Sequence, residues 1–171
     1  TNNVADDGNT IAWLDGTDIS TMTVDGSNYV SELRDKLGSA VKLNSSLSKR
    51  PLLTAEGLLF DGIDDDLNCM FTLNQPISIY LIARVITWET SKCIFAGASI
   101  NSGFLRTTAT SGTLQMYAGA NFIQLGGMTV NEFKICRVIF NGANSYLKIN
   151  DASATGNAGG PNNMNGIILG V

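Results

Sequence analysis

The stretch Gly57 to Leu67, GLLFDGIDDDL, constrains this chain more than any other. An apolar run, Leu58-Leu59-Phe60, stops at Asp61-Gly62. One apolar residue, Ile63, then precedes three carboxylates, Asp64, Asp65 and Asp66, and alternation resumes through Leu67, Cys69 and Phe71. This pattern predicts strand, tight acidic turn, strand. Asp-Gly suits the turn because glycine accepts a positive φ and an Asp carboxylate can accept from nearby backbone N–H groups.

The same two-residue period recurs along the chain. Short strands are predicted at Ile11–Leu14, around Met22 and Val24, and at Val30–Arg34, with turns at Asp15–Asp18 and Asp25–Asn28. From Pro76 to Trp88 both alternating sets are apolar-rich, which predicts a central strand covered on both faces. Further strands are predicted near Cys93–Ala98, Phe104–Arg106, Leu114–Tyr117, Phe122–Leu125 and Phe133–Phe140. Asn141-Gly142 turns the last of these into Tyr146–Asn150, a strong hairpin signal. Residues 152–165 read as a Gly/Asn/Ala loop and 166–170 as the final strand. About a dozen short strands with no convincing helix and no internal repeat predict an antiparallel two-sheet sandwich.

At 171 residues the chain is expected to form one domain over 11–171, preceded by a polar arm at 1–10. Only 15% of residues are charged, and the formal net charge is -4, with no basic stripe. That argues against a nucleic-acid partner. The longest apolar-leaning run, Pro76 to Trp88, is interrupted by Arg84 and is too short for a membrane span, so no membrane insertion is expected. No leader-type stretch precedes Thr1, which a processed chain would also lack. Cys69, Cys93 and Cys136 are odd in number and fit no zinc or redox spacing. They read as buried reduced thiols inside strands, with one disulfide plus a free thiol as the alternative.

The Phe-Asp-Gly-x-Asp-Asp turn at Phe60–Asp65, followed by a strand, resembles the signature of laminin-G-like domains of the concanavalin A-like lectin (jelly-roll) superfamily. The opening supports this: Trp13, Leu14, Asp15, Asp18, Val30, Leu33, Asp35, Lys36 and Gly38 resemble the preamble of such modules in bacteriophage virion and bacterial surface proteins. The Ser45–Pro51 loop and the Phe133–Asn150 pair add to the likeness, which spans nearly all the chain. The resemblance implies an all-β, concanavalin A-like two-sheet antiparallel jelly-roll sandwich. It also implies a further strand after the 166–170 strand. With Val171 the last residue, the expectation is a fragment, or a sheet completed by another segment or subunit. The implied function is a non-catalytic, surface-displayed binding module adhering to a glycan or cell-surface receptor, on a virion or an extracellular or cell surface. The alternatives are a purely structural oligomerisation or decoration module of a virion, alongside other subunits or as a homo-oligomer, and an accessory carbohydrate-binding domain of a secreted bacterial enzyme.

No catalytic set is visible. The absence of histidine removes Ser-His and Cys-His schemes and histidine metal sites. Glu32, Glu56, Glu89 and Glu132 are scattered singly, whereas glycoside hydrolysis needs two carboxyl groups held about 5–9.5 Å apart. No enzyme is expected, and no cofactor other than calcium. Asp64, Asp65 and Asp66, with Asp61, either form a structural turn or contribute oxygens to Ca²⁺, which takes six to eight. Trp13 is expected in the core. Trp88, at a strand end, either stacks on a sugar or caps the core. Tyr117, Asn121 and Phe122, flanking a Gly119 turn, offer aromatic faces and an amide for a sugar, or else pack a loop edge. Arg106 and Arg137 lie inside strands, where pairing with carboxylates is expected in preference to binding a ligand.

Overall fold

In the computed structural model, residues 9–99, 102–158, 160 and 162–170 are described. Most of the arm expected at 1–10, and Val171, therefore lie outside the described residues. The fold is all-β and antiparallel, with three single-turn 3-10 segments. Among the described residues no helix is long and apolar enough to cross a membrane. The chain divides into two compact units, one running to Cys69 and taking in Gly170, the other comprising Met70–Leu169.

In the first unit β1 (Met22–Val24), β2 (Val30–Arg34), β3 (Lys42–Asn44) and β6 (Leu67–Cys69) pair in that order, while β4 (Leu52–Thr54) and β5 (Gly57–Leu59) form a separate hairpin. Met22, Val30, Leu33, Val41, Leu43 and Leu67 are among its buried apolar side chains. The strand–turn–strand expectation changes here. The strands flanking the acidic turn do not pair with each other: β5 pairs with β4, and β6 with β3 through Asn44 and Asn68. The turn is a corner between sheets, because the N–H groups of Asp61, Ile63, Asp64 and Asp65 are held by the Asp61 and Asp65 carboxylates instead of a ladder.

Residues 11–14 make no ladder either. Their place is fixed by the Asp35–Lys36 pair. The buried Asp35 carboxylate accepts from the Trp13 and Ser39 N–H groups, and the Lys36 N–H donates to the Trp13 carbonyl. Burial alone would raise the Asp35 pKa; the backbone and side-chain donors of Trp13 and Ser39, with the Leu37 N–H, outweigh it and lower it. The Lys36 ammonium bridges Asp18 (2.9 Å) and Asp15 (3.0 Å) and sits 5.0 Å from the Trp13 ring centroid. It draws Asp18 down to about 2. Trp13 is thus not in the core; it is 37% exposed, under a lysine.

The second unit is sandwich-like. One sheet runs β15 (Ile167–Leu169), β8 (Cys93–Ala96), β9 (Phe104–Thr107), β10 (Thr113–Tyr117), β11 (Ile123–Gly126); the other runs β14 (Ala152–Gly156), β13 (Ser145–Ile149), β12 (Lys134–Phe140), β7 (Ile77–Ala83). The core between them takes Phe95, Leu105, Leu114, Met116 and Ile123 from the first sheet and Cys136, Val138, Phe140, Leu147 and Ile149 from the second. Phe95 and Phe140 meet edge to face, centroids 6.4 Å apart. The Phe133–Asn150 hairpin is present, joined through residues 141–144, with Ile139 opposite Tyr146.

Three expectations are corrected here. β7 is not a central strand covered on both faces: it ends its sheet, and Tyr80 and Ile82 are exposed. Isoleucine and tyrosine fit an open pleated face by β-propensity, so composition alone did not reveal the side. Part of the 152–165 loop is strand β14, which returns antiparallel on β13 after Asn150 takes a left-handed φ of 48°. The three cysteines are free, but only Cys136 is fully buried, its pKa pushed up to about 11 by burial.

Because Phe140 closes the core beside Phe95, Phe140→Ala should cost about 3–5 kcal/mol. Ile82→Ser, on the open face, should change stability by no more than about 0.5 kcal/mol. Chemical denaturation of the two variants checks the assignment of faces.

Candidate functional site

Along β9 and β10 the inward set is Leu105 with Leu114 and Met116; the outward set is Phe104 and Arg106 with Gln115 and Tyr117. Register places Phe104 opposite Tyr117 and Arg106 opposite Gln115, and β11 brings Gln124 opposite Gln115. Phe122 enters from the residue just before β11. The result is a row of three rings on the outer face of the five-stranded sheet. Phe104 and Tyr117 centroids lie 5.5 Å apart, and Tyr117 and Phe122 centroids 4.9 Å apart.

Arg106 lies beside this row. Its guanidinium is 4.6 Å from the Phe104 ring centroid and 5.9 Å from that of Phe122, and its Nε donates to Gln115 Oε1 at 3.1 Å. Among the described residues no carboxylate pairs with it, which overturns the expected ion pair. Gln115 is buried although it lies on the outer face, so Arg106 and the neighbouring side chains cover it. Cys93, opposite Arg106, completes this edge; burial raises its thiol pKa, partly offset by the Arg106 charge.

Of the residues expected from sequence, the structure brings Tyr117 and Phe122 together and sets the exposed Asn121 beside them, its N–H donating to the Asn157 carbonyl. The turn between them is fixed by Gly119 at φ 102°, where a Cβ would fall 2.3 Å from Asn162 Nδ2. Trp88 lies elsewhere. It packs against the core and donates Nε1–H to the Thr108 carbonyl, at the opposite end of β9. That is roughly 13 Å along the strand from Phe104. Phe104, Gln115 and Gln124 were not singled out from sequence, and Arg106 was expected to pair with a carboxylate; their alternation with buried leucines was visible, but only the hairpin register unites them.

Three aromatic faces flanked by a guanidinium and glutamine amides suit a pyranose ring, which offers an apolar face for stacking and hydroxyls around its edge.

The acidic turn holds itself. Asp61 Oδ1 accepts from the N–H groups of Ile63 (2.8 Å), Asp64 (3.2 Å) and Asp65 (3.3 Å), and Asp65 Oδ2 accepts from the Asp61 N–H (2.9 Å). Asp61, Asp64 and Asp65 each place a carboxylate oxygen within 4.8 Å of the others. Asp66 is not part of this group: it faces Lys49 at 3.6 Å and accepts from the Asn68 amide. Of the four aspartates named from sequence, Asp61, Asp64 and Asp65 are brought together and Asp66 is not. Burial, then the neighbouring Asp61, Asp64 and Asp66 charges, raise the Asp65 pKa against the hydrogen bond from Asp61.

No protein-family model matches the chain, and no curated protein and no solved structure is significantly similar to it.

Two outcomes follow for the turn. Asp61→Ala leaves three N–H groups without their acceptor and should cost about 1 kcal/mol or more, read by denaturation. Asp65 behaves oppositely. Its folded pKa lies above its unfolded one, so the native state binds the extra proton, and ionised Asp65 weakens the fold at neutral pH. Asp65→Asn keeps an acceptor oxygen and removes the charge. It should raise the melting temperature at pH 7, and the gain should shrink as pH falls through the elevated Asp65 pKa.

Proposed function

We propose that this chain is a non-catalytic binding module of the laminin-G-like, concanavalin A-like jelly-roll type, displayed on a virion or cell surface, where it adheres to a glycan. The observation that carries this reading is the Phe104–Tyr117–Phe122 ring row with Arg106 and Gln115 beside it. Such a surface binds by stacking and hydrogen bonding and has no apparatus for bond cleavage. The surface setting is supported by the preamble likeness, whose Trp13, Asp15, Asp18, Asp35 and Lys36 form one connected cluster in the first unit. Calcium at Asp61, Asp64 and Asp65 is a secondary element of the proposal.

A second reading, a structural virion module that assembles with other subunits or with itself, is favoured by one observation: β7 ends its sheet, and among the described residues no strand pairs with its outer edge, a natural template for another strand. Self-association of the purified chain at micromolar concentration, without glycan binding, would support that reading.

A glycan array probed with the purified chain, with Ca²⁺ and with EDTA, tests the first. Binding to one glycan class should fall about 5-fold or more in Tyr117→Ala and in Phe122→Ala, the loss of roughly 1 kcal/mol of ring contact. Trp88→Phe should leave affinity unchanged. Loss of binding in EDTA would bring the acidic turn into the site. Silence from a well-folded sample would sink the glycan reading.

A further inference from the structure

We propose that the outer face of the four-stranded sheet is a second binding surface, selective for a carboxylated saccharide and anchored by Arg137. It shares no residue with the ring row on the five-stranded sheet and stands or falls separately from it.

Alternation fixes which side chains point outward. Cys136, Val138 and Phe140 of β12 and Leu147 and Ile149 of β13 are in the core, so Arg137, Ile139, Tyr146 and Lys148 face out. Register lines up Tyr80, Arg137, Lys148 and Ser153 in one row across the four strands, with Ser78, Ile139, Tyr146 and Thr155 in the next. The Arg137 guanidinium is flanked by two rings, 5.1 Å from the Tyr80 centroid and 6.0 Å from the Tyr146 centroid. Among the described residues its buried Nε has no hydrogen-bond partner and no carboxylate pairs with the guanidinium. The expected ion pair is absent here as well.

Three features point to an anion. First, β7, β12, β13 and β14 contain no aspartate or glutamate, in a chain with 15 acidic and 11 basic residues. The nearest carboxylates in sequence, Glu132 and Asp151, lie beyond the strand ends, and Glu132 is held by Lys134 at 2.8 Å. Second, Arg137 sits directly opposite Lys148. Like charges in direct cross-strand positions destabilise a sheet, and a bound anion reverses that cost. Third, stacking between tyrosines orients the guanidinium while leaving its charge intact, and its planar fork matches a carboxylate bidentately.

The rest of the row narrows the class. Tyr80 is 64% exposed and offers a free ring face for a pyranose. Ser78, Ser153 and Thr155 add hydroxyls that pair with sugar hydroxyls. The surface is an open pleat, so it suits a linear acidic polysaccharide lying across the strands.

The test uses the full chain and polygalacturonate, with its fully methyl-esterified, neutral form and poly-glutamate as comparison probes, read by calorimetry at low and physiological salt. The free-acid polysaccharide should bind, and the esterified one should bind at least 10-fold more weakly. Arg137→Gln and Lys148→Gln, on different strands, should each weaken binding about 10-fold, and Arg137→Lys should weaken it because the fork is lost. Tyr80→Ala should weaken it several-fold, and Tyr117→Ala should leave it unchanged. Without ligand, Lys148→Gln should melt no lower than the parent, because it removes the like-charge pair; this separates a binding role from a structural one. Equal binding of the esterified form, unchanged binding in both charge variants, tighter binding of poly-glutamate, or no binding by the folded chain would each overturn the proposal.

Discussion

The period-two division of side chains in residues 70–169 is the constraint on which the surfaces depend. Each strand has one set that must enter the shared core, where a single position shift would expose every apolar residue of that strand. Leu105, Leu114, Met116, Val138, Phe140, Leu147 and Ile149 are all essentially removed from solvent. With those seven fixed, the outward residues have no freedom of side. Arg106 and Arg137 are presented to solvent because their neighbours on each side are committed to the interior.

The two arginines then show what the fold does with a cation lacking an acid. Elsewhere the pairing is ordinary: Arg34 meets Glu32 at 2.6 Å and Arg50 meets Asp25 at 3.5 Å. Exposed pairs of that kind contribute little. Arg106 and Arg137 lie instead on ring faces, Arg106 with Phe104 and Phe122, Arg137 with Tyr80 and Tyr146. Guanidinium is weakly hydrated, so stacking leaves it charged and oriented but not neutralised. Among the described residues, Arg106 and Arg137 thus carry charge that no carboxylate offsets, one on the outer face of each sheet.

Much of the architecture was legible in the sequence, because a buried face leaves a period-two trace wherever it exists. The strands at Val30–Arg34, Phe104–Thr107, Thr113–Tyr117 and Lys134–Phe140 left such traces. Partners were legible only where a short turn dictates them, as between Phe140 and Ser145. The acidic stretch misled for a physical reason. Asp61 caps three N–H groups and completes the turn without any ladder, so a motif that looks like a hairpin tip joins strands with other partners. Trp13 misled similarly: an apolar tetrad implies burial, but the Asp35 and Lys36 contacts that hold it lie 22 and 23 positions later and leave no local signature.

The candidate site shows the same limit from the other side. Tyr117 and Phe122 were found because they are close in sequence around one glycine turn. Phe104 was not, and Arg106 was assigned to an ion pair, since their partnership with Tyr117 and Gln115 exists only through the register of β9 on β10. Trp88 and Tyr117 were equal as sequence, each an aromatic residue at a strand end. What separates them is the fate of the polar atom and the ring. The Trp88 N–H is satisfied by Thr108 and its ring lies on the core, whereas Tyr117 takes its place in an outward row. A binding surface on a sheet is thus a property of strand pairing, and local sequence can name its members only when a single turn holds them together.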